Sequence, residues 1–75
     1  MPPKRAPKYL HRRLANAVRL RRNDLDISQE DLARMSGLHR TYVGAIERGE
    51  RNVSLATLEV LAEGLGVDPV EILEG

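Results

Sequence analysis

The residues with chemistry to offer lie close together in the stretch HRTYVGAIERGERN, positions 39 to 52. Its inventory is arginine, threonine, tyrosine, histidine and asparagine, groups that donate and accept hydrogen bonds, with no nucleophile beside a base. His11 and His39 are the only imidazoles of the chain and there is no cysteine. Neither a metal-ligand cluster nor a catalytic dyad takes shape, so no enzyme active site is expected. GLGV at 64 to 67 looks like half of a dinucleotide fingerprint, but it follows a helical pattern where a strand is required, and it reads as a helix terminator. No cofactor, metal or small-molecule ligand is called for.

What the stretch does offer is a helix with one naked side. On a wheel of about 100° per residue, turning Val43 and Ile46 inward directs Thr41, Ala45 and Arg48 outward. Gly44 and Arg40 then lie on one shoulder, Tyr42 on the other, and Glu47 near the buried side. Gly44 costs a helix roughly 1 kcal/mol relative to alanine. A solvated helix gains nothing in return, whereas a helix pressed into a groove gains a close approach of its backbone. The major groove of B-DNA admits such a helix; arginine there grips guanine O6 and N7, and a threonine methyl can touch thymine. Arg40, Thr41, Gly44 and Ala45 are therefore the expected base-contacting surface.

Such a helix works only if other elements hold it. Leu10, Leu14, Ala17, Val18 and Leu25 recur at helical spacing and predict a first helix from about Lys8 to Asn23, with Leu20 off the stripe. Ser28 caps a second helix from Gln29 to about Ser36, Asp31 standing in for the glutamate of a capping box; Leu32 and Met35 face inward, and Gly37 ends it with a positive φ. The third helix runs to Gly49. Ser54 caps a fourth, with Leu55, Leu58, Leu61, Ala62 and Leu65 as its apolar stripe and Gly66 past its end. Asp68-Pro69-Val70-Glu71 opens a fifth, with proline at the first helical position. Gln29, Ala33, Gly37, Val43 and Ile46 occupy the first, fifth, ninth, fifteenth and eighteenth places of a helix-turn-helix at about 29–48. The expected fold class is all-α: five short helices in one domain over 8–75, the second and third forming the helix-turn-helix, preceded by a flexible basic arm over 1–7.

Twelve basic and eleven acidic residues leave a net charge of +1, but the distribution is uneven. Eight bases and no acid precede Asn23, while five acids and no base follow Ser54. One end of the molecule is thereby suited to a polyanion and the other repels it. No apolar run approaches the ~20 residues of a bilayer span, and the start lacks the apolar region of a signal peptide. A cytoplasmic, nucleoid-associated protein with no membrane partner is expected. Near the C-terminus Val67, Val70, Ile72 and Leu73 exceed what so small a core encloses, which marks them as a homodimer interface.

The stretch SQEDLARMSGLHRTYVGAIERGERNVSLATLEVLAEGLGV resembles the lambda-repressor-like (Cro-like, XRE-type) helix-turn-helix domains, and HRTYVGAIERGERN is especially similar to the controller proteins of restriction–modification systems. The resemblance spans roughly Leu10 to Leu73. It implies a homodimer on a palindromic operator in double-stranded DNA, with Arg40 and Thr41 on bases. It implies backbone or flanking-base contacts for Tyr42, Arg48, Arg51 and Asn52, and a phosphate contact for Gln29. It also implies an ion pair between Arg22 and Glu47, with Arg22 a further candidate for backbone contact. Arg21 departs from the pattern, since relatives often place leucine there. The same fold also serves antitoxin-like or bridging modules whose third helix meets protein; the basic first helix and arm favour a polyanion instead.

Overall fold

The computed structural model describes residues 8–74. The arm predicted over 1–7, and the last residue of the predicted domain, lie outside them. Five helices follow in order: α1 (Lys8–Asp24), α2 (Gln29–Ser36), α3 (Arg40–Glu47), α4 (Leu55–Leu65) and α5 (Pro69–Glu74), with no strand among the described residues. Val18, Leu32, Val43, Ile46, Leu61 and Leu65 are wholly buried at the centre. α1 packs against α3, α4 and α5, and α2 against α3 and α4, so α3 is clamped from behind and from one side.

The helix ends follow from local chemistry. Ser28 is extended at φ −81°, its Oγ accepts from the Asp31 N–H, and Asp31 Oδ2 accepts from the Ser28 N–H, both at 2.9 Å. This reciprocal box satisfies two donors that the first turn leaves unpaired. The backbone N–H of Ser28, and then the Arg34 guanidinium, hold the Asp31 carboxyl below the usual carboxylate range. Gly37 and Gly66 take φ of 71° and 70°, and the residue after each donates back into the helix, Leu38 to Ala33 O and Val67 to Ala62 O. These are the left-handed stops that glycine makes without a Cβ clash. Ser54 caps α4 by accepting from the Thr57 N–H at 3.1 Å.

The arginines of α1 serve the fold more than the charge pattern suggested. Arg19 Nη1 donates to Glu47 O at 2.9 Å, Arg21 Nε to Leu65 O at 3.2 Å, and Arg13 Nε to Leu73 O at 2.9 Å. The acceptors are carbonyls in the last turns of α3, α4 and α5, which have no partner within their own helices and carry the negative end of the helix dipole. The basic face of α1 is thus in good part a set of C-terminal caps, and this places Arg21, the departure noted above, in a structural role.

Several inward positions turn out differently. The buried stripe of α1 is His11, Leu14, Ala15 and Val18, with Ala17 half-buried against the core and Leu10 half-buried, and Leu25 lies beyond the helix end, exposed. Met35 is exposed too, because α2 buries Leu32, Ala33 and Ser36 instead. Leu55, the first residue of α4, is 83 % exposed. α3 ends at Glu47, two residues before the expected stop, and Gly49 makes its turn at φ 73°. Ile72, assigned to a dimer surface, is 3 % exposed and belongs to the core.

Candidate nucleic-acid interface

α3 is held by its buried side. Val43 and Ile46 enter the core, and Ala33 of α2 is buried where the two helices approach. His39 caps the helix: Nδ1 accepts from the Thr41 N–H at 3.1 Å. The strongest clamp is electrostatic. Glu47, 3 % exposed, accepts from Arg22 Nε at 2.7 Å and Arg22 Nη2 at 3.0 Å, a two-point pairing, and from Gln29 Nε2 at 3.1 Å. Arg22 Nη1 also donates to Ile27 O at 2.9 Å. The hydrogen bonds to Glu47, and its charge, raise the Arg22 pKa above its already high ordinary value, with burial opposing. One carboxylate therefore locks α1, α2 and α3 at a fixed angle, the expected Arg22–Glu47 pair with Gln29 added. The guanidinium of Arg22 is engaged inside the fold, which leaves its proposed backbone contact the weakest of the set.

The outward side presents two open clefts that share Thr41 as their common crest. One, about 530 Å³ between α3 and the start of α2, is lined by Gln29, Glu30, Arg40, Thr41, Gly44 and Arg48, together with Arg22 and Ser28. The other, about 250 Å³, is lined by His39, Thr41, Tyr42, Ala45 and Arg51. Tyr42 is half-buried against the core, and the Arg51 guanidinium lies 4.9 Å from its ring centroid, a cation–π contact. Asn52 is exposed in the following loop.

The naked side is less naked than the wheel predicted. Gly44 is buried, roofed by the ends of two long side chains: a Cβ built there would lie 3.2 Å from Arg48 Nη1 and 3.4 Å from Gln29 Oε1. Ala45, placed outward by the wheel, is only 9 % exposed. In a domain this small, long polar side chains fold their stems over whatever bare backbone lies within reach. Arg48 also pairs with Glu50 at 3.1 Å, and Arg40 with Glu30 at 3.0 Å. Helical periodicity carries no signal for such partners, because they come from neighbouring turns and another helix. The same holds for Arg12 and Arg19, which with Arg48 line a shallow cleft at the end of α3.

A short α2, a glycine turn and a second short helix clamped by its inner face, with its outer face set between arginines, define a helix-turn-helix unit. The chain belongs to the helix-turn-helix family, whose pattern matches residues 18–72. It is 53 % identical to control protein C.SmaI of Serratia marcescens, over 80 % of this chain and 71 % of that protein. Among solved structures it is similar to the restriction–modification controller protein C.AhdI of Aeromonas hydrophila, with a TM-score of 0.81, 44 % identity, and 83 % and 94 % of the two chains covered. It is also similar to the controller protein C.Esp1396I, crystallised as a tetramer with its natural 35 base-pair operator: TM-score 0.82, 36 % identity, 88 % and 87 % covered.

Proposed function

We propose that this chain is a sequence-specific, double-stranded DNA-binding transcription regulator, without catalytic activity, that acts as a homodimer on a palindromic operator and controls a restriction–modification operon. The observation that carries the reading is the cleft in front of α3, where Arg40, Thr41, Gly44 and Arg48 stand together on a helix whose orientation a buried ion-pair network fixes. A rigid helix of this width, with donors at both ends and small residues between, is matched to base edges in a major groove. The likeness to a controller protein crystallised on its operator supports the same reading, as does the identity with C.SmaI. Arg40, Thr41, Gly44 and Ala45 then face bases, and Gln29, Tyr42, Arg48, Arg51 and Asn52 the backbone or flanking bases. A nucleoid-associated, cytoplasmic location follows from that target.

The dimer surface we place on the side where Leu55 and Leu73 line an apolar hollow with Leu10, Leu14 and Val53. A second hollow, with Leu20 and Val67, is lined also by Arg13, Arg21, Asp24 and Glu71. Four charged side chains in its lining, against none of Asp, Glu, Lys or Arg in that of the Leu55 hollow, make it the poorer candidate. The four residues assigned to one surface thus divide: Leu73 stays, Val67 lines the second hollow, Ile72 is core, and Val70 is exposed in the first turn of α5. Selection of duplexes from a random pool, followed by salt titration on the winners, tests the function. A two-fold symmetric consensus with affinity falling steeply in salt is expected. Recovery of unrelated sequences, or binding indifferent to salt, overturns the reading.

A further inference from the structure

The cleft in front of α3 is lined by cationic, neutral polar and glycine residues with a single acid, Glu30, among its described lining. A carboxylate facing a polyanion weakens binding to it, so its position asks for a reason. Glu30 Oε1 accepts from Arg40 Nη1 at 3.0 Å, and the two side chains are 67 % and 69 % exposed. An ion pair so open to solvent adds little to stability, and stability is therefore a poor account of it. Its geometry supplies a better one. The contact takes one terminal nitrogen of the guanidinium and leaves the Nε/Nη2 edge, a complete two-donor fork, for another acceptor pair.

We infer that Glu30 is a specificity-determining positioning residue, which steadies Arg40 by one nitrogen so that its free edge reads a guanine, and which repels backbone phosphate from the same cleft. This rests on the DNA-reading function proposed above. A guanine offers O6 and N7 side by side to that edge. A phosphate competing for Arg40 brings its negative charge against the Glu30 carboxylate and gains less. The acid thus lowers affinity for all DNA and lowers it most where Arg40 finds no base partner.

The test compares wild type, Glu30→Gln, Arg40→Ala and the double variant on the selected duplex and on random-sequence duplex, at two salt concentrations. Both side chains are exposed, so folding persists; far-UV circular dichroism checks it. Glu30→Gln tightens binding to random duplex and leaves the selected duplex weaker or less improved. The affinity ratio between them falls about fivefold to tenfold, the size of one compromised base contact. Repeat selection with the variant returns a degenerate base at one position of each half-site. With Arg40→Ala in place, Glu30→Gln changes both duplexes by the same factor. An unchanged or higher ratio in the single variant overturns the inference, since Glu30 is then only background charge. Wild type that fails to prefer the selected duplex overturns the proposed function itself, a result distinguishable because it needs no variant.

Discussion

Arg40 begins α3 with most of its side chain in solvent, so truncating it tests the proposed base contact and leaves packing intact. Arg40→Ala should weaken operator binding by about 1–3 kcal/mol and relax preference at one base position. Fluorescence anisotropy on operator and random duplex checks this, and equal losses on both would make Arg40 a phosphate anchor. Gly44 separates stability from function in the opposite direction. Alanine there removes a helix penalty of about 1 kcal/mol, and its Cβ meets only the movable ends of Arg48 and Gln29. Gly44→Ala should therefore raise the melting temperature while weakening DNA binding, because the added methyl holds the backbone off the base edges. Stabilisation with undiminished binding would show that no close approach occurs. At this scale residue type was legible and surroundings were not. Gly44 could be singled out because glycine in a helix needs a reason, yet Glu30 and Glu50 gave no hint that they partner Arg40 and Arg48.

Helices and their ends were the most legible part of the chain, because caps are written in a few adjacent residues. Ser28 with Asp31, Gly37, Ser54 and Gly66 all act where their types indicate. What local pattern cannot hold is the donor that crosses from another element, and the α1 arginines are of that kind. Arg21 Nε reaches the C-terminal carbonyl of Leu65 across forty-four positions of sequence. Arg21→Ala should cost about 1–2 kcal/mol, as for loss of a charged hydrogen bond at a helix C-terminus, and leave the salt dependence of DNA binding unchanged. Urea unfolding and salt titration together check this, and a shallower salt slope would reassign Arg21 to the interface. The α2 cap makes a pH prediction. The folded state lowers the Asp31 pKa through the Ser28 N–H and Arg34. Its contribution is then complete above the ordinary carboxylate range and is lost as pH falls through the lowered folded value. The stability gap between wild type and Asp31→Ala, measured in urea at neutral pH, should close at strongly acid pH; a gap independent of pH would mean that the carboxylate charge is irrelevant.

Across the whole molecule, the uneven charge reads differently once the α1 arginines are assigned. Arg13, Arg19 and Arg21 are tied to neutral carbonyls at helix ends and keep their charge, and Arg22 is paired with Glu47, so the guanidiniums placed to touch a duplex in the two clefts before α3 are chiefly Arg40, Arg48 and Arg51. Three arginines in one protomer are a modest grip on a duplex, and a two-fold partner doubles it at a spacing of about 34 Å, one turn of DNA. Leu55 suits that arrangement, since it opens α4 directly after the loop from α3, so that a partner seated on it would be held at a fixed distance from α3. Leu73 and its neighbour Ile72 separate the proposed interface from the core: Leu73 is 44 % exposed and lines the Leu55 hollow, and Ile72 is 3 % exposed and packed in the core. Ile72→Ala should cost about 2–5 kcal/mol as a core truncation. Leu73→Asp should cost the isolated fold only about 1 kcal/mol, the part of a leucine's transfer energy already realised, while shifting the monomer–dimer equilibrium strongly toward monomer. Sedimentation equilibrium over the micromolar range reads the second effect directly. If Leu73→Asp associates like wild type, the interface lies elsewhere, and the Leu20 hollow becomes the next surface to substitute; if wild type is itself a concentration-independent monomer, the homodimer fails, and three arginines must account for whatever affinity the chain has.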